Sequence, residues 1–208
     1  MIIEGENMGK TVLETFTIFP FSIVLALALG EAFKQAVAEH RPGTTTGGDI
    51  QWDRLPALLT FLVLMLPFYQ GMNRYLLLTY GGMPASQHQY STVALIIDGV
   101  AFMVESAVFF AMSRNLANSR WRYFYFIVLF LLLADTLWGL STHLHPINNT
   151  APVLQNWMTL NLIFSVVVVL LIAFGQRLSD AKTAIIGTLI MFARTVFDYW
   201  ISWDFYFS

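Results

Sequence analysis

The 208-residue chain is 57% hydrophobic and only 12% charged, with 11 Lys and Arg against 13 Asp and Glu. That is about half the charge of a soluble domain; with a mean hydropathy of +0.62 it excludes an ordinary water-soluble fold, and a net charge of −2 argues against a nucleic-acid partner, which requires a basic patch. The absence of cysteine removes disulfides, thiolate catalysis, iron–sulfur ligation and Cys-type zinc sites together.

The apolar residues come in long blocks, which predicts an all-α integral membrane protein. Six segments suffice to cross roughly 30 Å of hydrocarbon at about 1.5 Å per residue. They lie near 12–37, 56–80, 91–113, 122–142, 153–176 and 183–203. The expected architecture is a six-transmembrane-helix bundle, with 1–208 forming a single polytopic membrane domain.

The first block, with Lys10 ahead of it and Ala26 and Ala28 in an A-x-A arrangement, resembles a secretory signal. Glu4, Glu6 and Glu14 make a poor signal n-region, so it reads as the first span. Ala26/Gly30 and Ala28/Ala32/Ala36 give it two small-xxx-small faces for close helix contact. Pro20 interrupts its start; Glu31 and Lys34 sit near its end, three residues apart, in reach of each other. The Gly/Thr-rich connection over 39–55 reads as a flexible loop, because a lone glycine cluster is weak support for a phosphate cradle.

The second block carries "YQGMNR", which sets Gln70, Asn73 and Arg74 at three- and four-residue spacing on one helical face. Pro67 removes the helical hydrogen bond to the carbonyl of Val63, which leaves that oxygen to a local partner or an ion. The third block holds Asp98 and Glu105, seven residues apart and therefore on one stripe. The fourth holds Asp135, and the fifth Asn156 and Asn161. The sixth holds Arg194 and Asp198 in register with Gly187 and Met191.

Lys and Arg set the orientation. The connections after spans one, three and five, with their flanks, hold Lys34, Arg41, Arg54, Arg114, Arg120, Arg122, Arg177 and Lys182. The other side holds Lys10. Both termini are therefore expected outside, with basic cytoplasmic loops, in a plasma or inner membrane. The six tryptophans fall near span ends, as an aromatic belt would. Counted from the outer ends, Arg74, Asp98, Asp135 and Asp198 lie roughly 7–11 Å deep, and Arg194 and Glu105 deeper, roughly 14 Å and 21 Å.

An ionised group at the bilayer centre costs at least ~2.5–3.5 kcal/mol, so these six residues are expected to face the bundle interior or a partner. Four carboxylates then meet two guanidiniums. If Arg194 pairs with Asp198 and Arg74 with one more acid, two carboxylates remain to be hydrated, to bind a cation or to hold a proton. His143 and His145 offer only two ligands, so no metal site or cofactor is expected. The acidic, outward-facing cluster of Arg74, Asp98, Glu105, Asp135, Arg194 and Asp198, with Gln70, Asn73 and Asn161, suits a channel or transporter for a cation or small polar solute. The alternative is a sensor or binding subunit that recognises a lipid head group, a small ligand or a partner helix. Assembly as a homo-oligomer or as a subunit of a membrane complex fits both. An enzyme ranks last, because no nucleophile motif, metal cluster or cofactor fingerprint accompanies the acids.

Overall fold

Residues 19–37, 51–80, 91–116, 121–144 and 151–208 are described by a computed structural model. Among them are seven helices and no strand: α1 (Phe19–Ala36), α2 (Leu55–Tyr80), α3 (Ser91–Asn115), α4 (Trp121–Leu144), α5 (Ala151–Phe174), α6 (Asp180–Ile201) and the short α7 (Trp203–Phe207). A single 3-10 turn, Gly175–Arg177, joins α5 to α6. Residues 12–18 of the first expected span, the Gly/Thr-rich stretch 38–50, His145, Lys10, Arg41 and Arg120 lie outside the described residues.

Helices α2 to α6 are long and apolar enough to cross a membrane. Each of the first six helices also turns a large apolar side chain outward: Leu27, Leu66, Ile96, Leu137, Val166 and Leu189 are all 59–66% exposed. A surface this apolar on every side is suited to lipid, not water. The chain is an integral multi-pass membrane protein.

The helices form a closed ring that does not follow chain order. α1 lies along α3, α3 along α4, α4 along α5, α5 along α6, and α6 along α2, with lighter contacts from α2 to α1 and α3. On α1 the buried residues are Phe21, Leu25, Ala28, Ala32 and Ala36. The Ala28/Ala32/Ala36 face is therefore the one used for packing. Ala26 and Gly30 are exposed, and a side chain at Gly30 would meet nothing. On α3 the buried stripe is Asp98, Phe102, Glu105, Phe109, Met112 and Leu116, a three-four alternation that fits a packed helix seam.

Near the end of the bundle where α2, α4 and α6 begin, the interior is closed by neutral groups. Tyr125 donates to the carbonyl of Ala184 at 3.0 Å and lies 3.3 Å from the Thr60 hydroxyl. Thr60 lies 3.0 Å from Thr188, which donates to the carbonyl of Pro56 at 2.7 Å. Gly187 makes this possible: a Cβ there would fall 2.1 Å from Tyr125 Cζ. At the opposite end, α7 folds back so that Tyr206 is buried and Phe205 meets Trp157 edge-on at 5.1 Å.

Pro67 stands inside α2. Thr195 of α6 donates its hydroxyl to Val63 O at 3.0 Å. The carbonyl that proline frees is thus satisfied by the neighbouring helix, and the same bond ties α2 to α6.

Candidate functional site

α6 buries one face, made of Thr183, Gly187, Met191, Arg194 and Asp198. Its spacing of three and four keeps them in line, so the chain has to find interior partners for a guanidinium. Arg194 is 2% exposed. Its Nη1 donates to Asp198 Oδ2 at 2.8 Å. Nε and Nη2 both donate to Asn161 Oδ1 of α5, at 3.2 and 2.8 Å. Its charge also lies over the Phe68 ring of α2, 5.7 Å from the centroid, within cation–π range.

Asn161 passes the interaction on. Its Nδ2 donates to Asp135 Oδ2 of α4, so one amide offers its oxygen to the cation and its nitrogen to the anion. Asp198 has a second donor, the Tyr206 hydroxyl at 3.3 Å from Oδ1. Burial, with the negative charge of Asp198 adding to it, pushes the Tyr206 phenol well above its ordinary range, so Tyr206 stays a donor. Four elements therefore converge on Arg194, and the space left among Asp135, Trp157, Arg194, Asp198 and Tyr206 is about 20 Å³. That volume admits about one water-sized molecule.

Asp98 is 3% exposed and belongs to a separate pair of donors. Tyr80 of α2 donates to Oδ2 at 2.7 Å and the Trp138 indole of α4 to Oδ1 at 2.8 Å. Glu105 differs from the other acids. It is 1% exposed, and neither carboxyl oxygen has a hydrogen-bond partner among the described residues. Asp135 and Asp98 lie close enough to act on it electrostatically. An isolated carboxylate in such a place costs on the order of tens of kcal/mol by Born solvation unless it is neutralised.

The structure thus brings together Asp98, Glu105, Asp135, Asn161, Arg194 and Asp198 as a buried layer contributed by α3, α4, α5 and α6. Of the "YQGMNR" stretch, Gly71 and Met72 line the small cavity beside Asp135, Arg194 and Asp198, whereas Gln70, Asn73 and Arg74 bond elsewhere. Arg74 contacts the Ser208 hydroxyl at 3.5 Å and the Phe205 ring at 6.0 Å. Gln70 accepts a hydrogen bond from Tyr199 at 2.9 Å, and Asn73 donates to the carbonyl of Tyr69 at 2.9 Å. With Arg74 engaged elsewhere, the described residues set four buried carboxyls against one buried guanidinium, a larger acid surplus than the pairing of Arg74 with an acid would leave.

Several residues at the site are not signalled by the sequence. Tyr80, Trp138, Trp157 and Tyr206 stand at segment ends, where an aromatic side chain reads as an interface anchor. Trp121, Trp138 and Trp157 are 9%, 5% and 6% exposed, whereas Trp52, Trp200 and Trp203 are 72%, 71% and 59% exposed. Half of the expected belt is therefore interior. Asn156 donates to the carbonyl of Ile201 at 3.4 Å, which ties α5 to the end of α6. Among the described residues, no three acidic or histidine side chains converge closely enough to hold a metal ion. Compared with protein-family models, with curated proteins and with solved structures, the chain matches none of them.

Proposed function

We propose that this chain is a transporter or channel that handles a cation or small polar solute at its buried acid layer. One observation carries the reading: Asp98, Glu105, Asp135 and Asp198 are all buried, and among the described residues Arg194 is the only buried guanidinium to set against them. Membrane interiors carry such groups where an ion or proton is handled, since packing alone is achieved at lower cost by apolar side chains. The proposal takes α1 as a sixth span, both termini outside, and a plasma or inner membrane. Support comes from Lys34, Arg54, Arg114, Arg122, Arg177 and Lys182, which cluster where α1, α3 and α5 end and α2, α4 and α6 begin, as cytoplasmic basic residues do. It also includes a homo-oligomer, for which the exposed Ala26 and Gly30 on α1 leave a small-residue face free.

The test is flux in proteoliposomes loaded with the purified chain. Ion or proton flux is expected under an imposed gradient, and the Asp135→Asn and Arg194→Ala variants should lose it. Silence of the folded wild type under proton, sodium and potassium gradients alike would sink the transport reading.

A second reading, a sensor or binding subunit of a larger complex, is favoured by the closure of the layer. Tyr206 and Phe205 lie over one side of it, and the Thr60–Tyr125–Thr188 hydroxyls close the bundle further down. On this reading a partner or lipid co-purifies with the wild type and is lost from Arg194→Ala, with no flux in either.

A further inference from the structure

Glu105 occupies a defined place in the interior. One turn along α3 on one side, Phe102 packs with Tyr75 and Trp138 at centroid distances of 6.4 and 5.1 Å. One turn along on the other side, Phe109 packs edge-on with Phe61 and Phe68 at 5.9 and 5.4 Å. The carboxyl is thus held between two aromatic layers, out of contact with solvent and, among the described residues, with no donor for either oxygen.

Among the described residues, no cation answers it from the neighbouring helices. Asp98 on its own helix and Asp135 on α4 bring charge of the same sign. On α1 the ionisable groups are Glu31 and Lys34, joined to each other at 3.9 Å. On α2, Arg74 rests on Ser208 and Phe205, and the other ionisable side chains are the phenols Tyr69, Tyr75 and Tyr80. On α4, Arg122 lies over Trp121 at the far end from Asp98, His143 stands in the last turn, and Tyr123 and Tyr125 are phenols. Arg194 of α6 is taken by Asp198 and Asn161. A hydrated or coordinated metal cation demands several converging oxygens, which the described acids do not form. A proton demands only one.

We propose that Glu105 is a proton-binding site, loaded in this closed form, and that the cation handled by the buried layer is H⁺. The proposal deepens the transport reading and rests on it only for the use made of the proton. Unloading breaks the Glu105 O–H bond and passes the proton to water admitted between the aromatic layers, leaving a carboxylate that the admitted water solvates.

The experiment is infrared spectroscopy of the full chain in lipid at neutral pH, with and without carboxyl-¹³C glutamate. A protonated-acid carbonyl band that moves on glutamate labelling is expected. It should be lost in Glu105→Gln and kept in Glu31→Gln, which alters the half-buried glutamate paired with Lys34. Should Glu105→Gln fail to fold, Glu105→Asp keeps an acid there and should lose the isotope shift. Absence of a glutamate-sensitive band from the wild type, or its persistence in Glu105→Gln or Glu105→Asp, overturns the proposal. The flux assay separates the two ideas: a band assigned to Glu105 in a protein silent to every gradient upholds the proton site and removes the transport reading. Proton flux lost in Glu105→Gln upholds both.

Discussion

The hydroxyl layer around Gly187 and the charged layer around Arg194 lie about two helical turns apart on the same face of α6. In the first, Thr60, Tyr125 and Thr188 bond to one another and to the carbonyls of Pro56 and Ala184. Every group in it is neutral, and removing it from water demands only that donors find acceptors. The second contains four acids, one guanidinium and an amide that bridges them. It does not close, because Glu105 has no hydrogen-bond partner among the described residues. A bundle that needed only interhelical glue had the first solution available and used it two turns away. The imbalance of the second is what the proposed function rests on.

The comparison breaks most readily at Arg194. Replacing it by alanine leaves Asp198 and Asp135 buried without their cation, and removing one partner of a buried pair costs about 3–5 kcal/mol. Asp198→Asn keeps one oxygen to accept from Arg194 Nη1 and turns its NH2 toward the Tyr206 oxygen, while Asp135 still faces the cation through Asn161, so its cost should stay at about 1 kcal/mol, that of an altered hydrogen bond. Thermal unfolding in mild detergent should separate the two variants clearly. Equal stability would mean that the charged layer behaves as ordinary glue, like the hydroxyl layer.

A smaller effect is expected at the neutral layer. Gly187→Ala drives a methyl into the Tyr125 ring, and overpacking of this kind costs about 1–3 kcal/mol. The loss should affect stability while leaving transport or ligand binding intact. It should shrink in a Tyr125→Leu background, where the ring is gone, as a double-mutant cycle will read. Loss of function at preserved stability in Gly187→Ala would put the hydroxyl layer on the functional side of the comparison.

The smallest effect is at the seam between α2 and α6. Thr195→Val removes the donor to Val63 O, the carbonyl released by Pro67. Interhelical hydrogen bonds in membranes average about 0.6 kcal/mol and reach about 1.7 kcal/mol. A loss in that range is expected, with Pro67→Ala partly relieving it because the helix then satisfies Val63 itself. Full additivity of the two changes would show that Thr195 does not serve the proline.

The boundaries of α2 to α6 were legible in the sequence to within a few residues. Their lengths follow from membrane thickness, and the breaks between them carry turn residues. The burial of Arg194 and Asp198 was legible too, because a lipid-facing charge is too costly and Gly187 and Met191 mark the same face. The partners were not. Asn161 reads as one of two asparagines in an apolar block, and nothing local says that it, and not Arg74, meets both Asp135 and Arg194. Arg74 looks like the second cation of the layer by depth alone. Its direction around the helix axis, toward Phe205 and Ser208, is decided by how α2 is rotated against α6.

The sequence alone determined that this chain lives in a membrane, that its spans are helices, and that its ionisable groups must turn inward. Those conclusions need only the cost of exposing backbone or charge to hydrocarbon. Tertiary structure decided the rest. It chose α3 over α2 as the main partner of α1, and it paired α2 with α6. It folded α7 back over the charged layer, moved three tryptophans from the expected belt into the core, and set Glu105 between two aromatic layers. These outcomes depend on which faces meet across the bundle, and hydropathy, which reads each helix by itself, is the same for every arrangement of the ring.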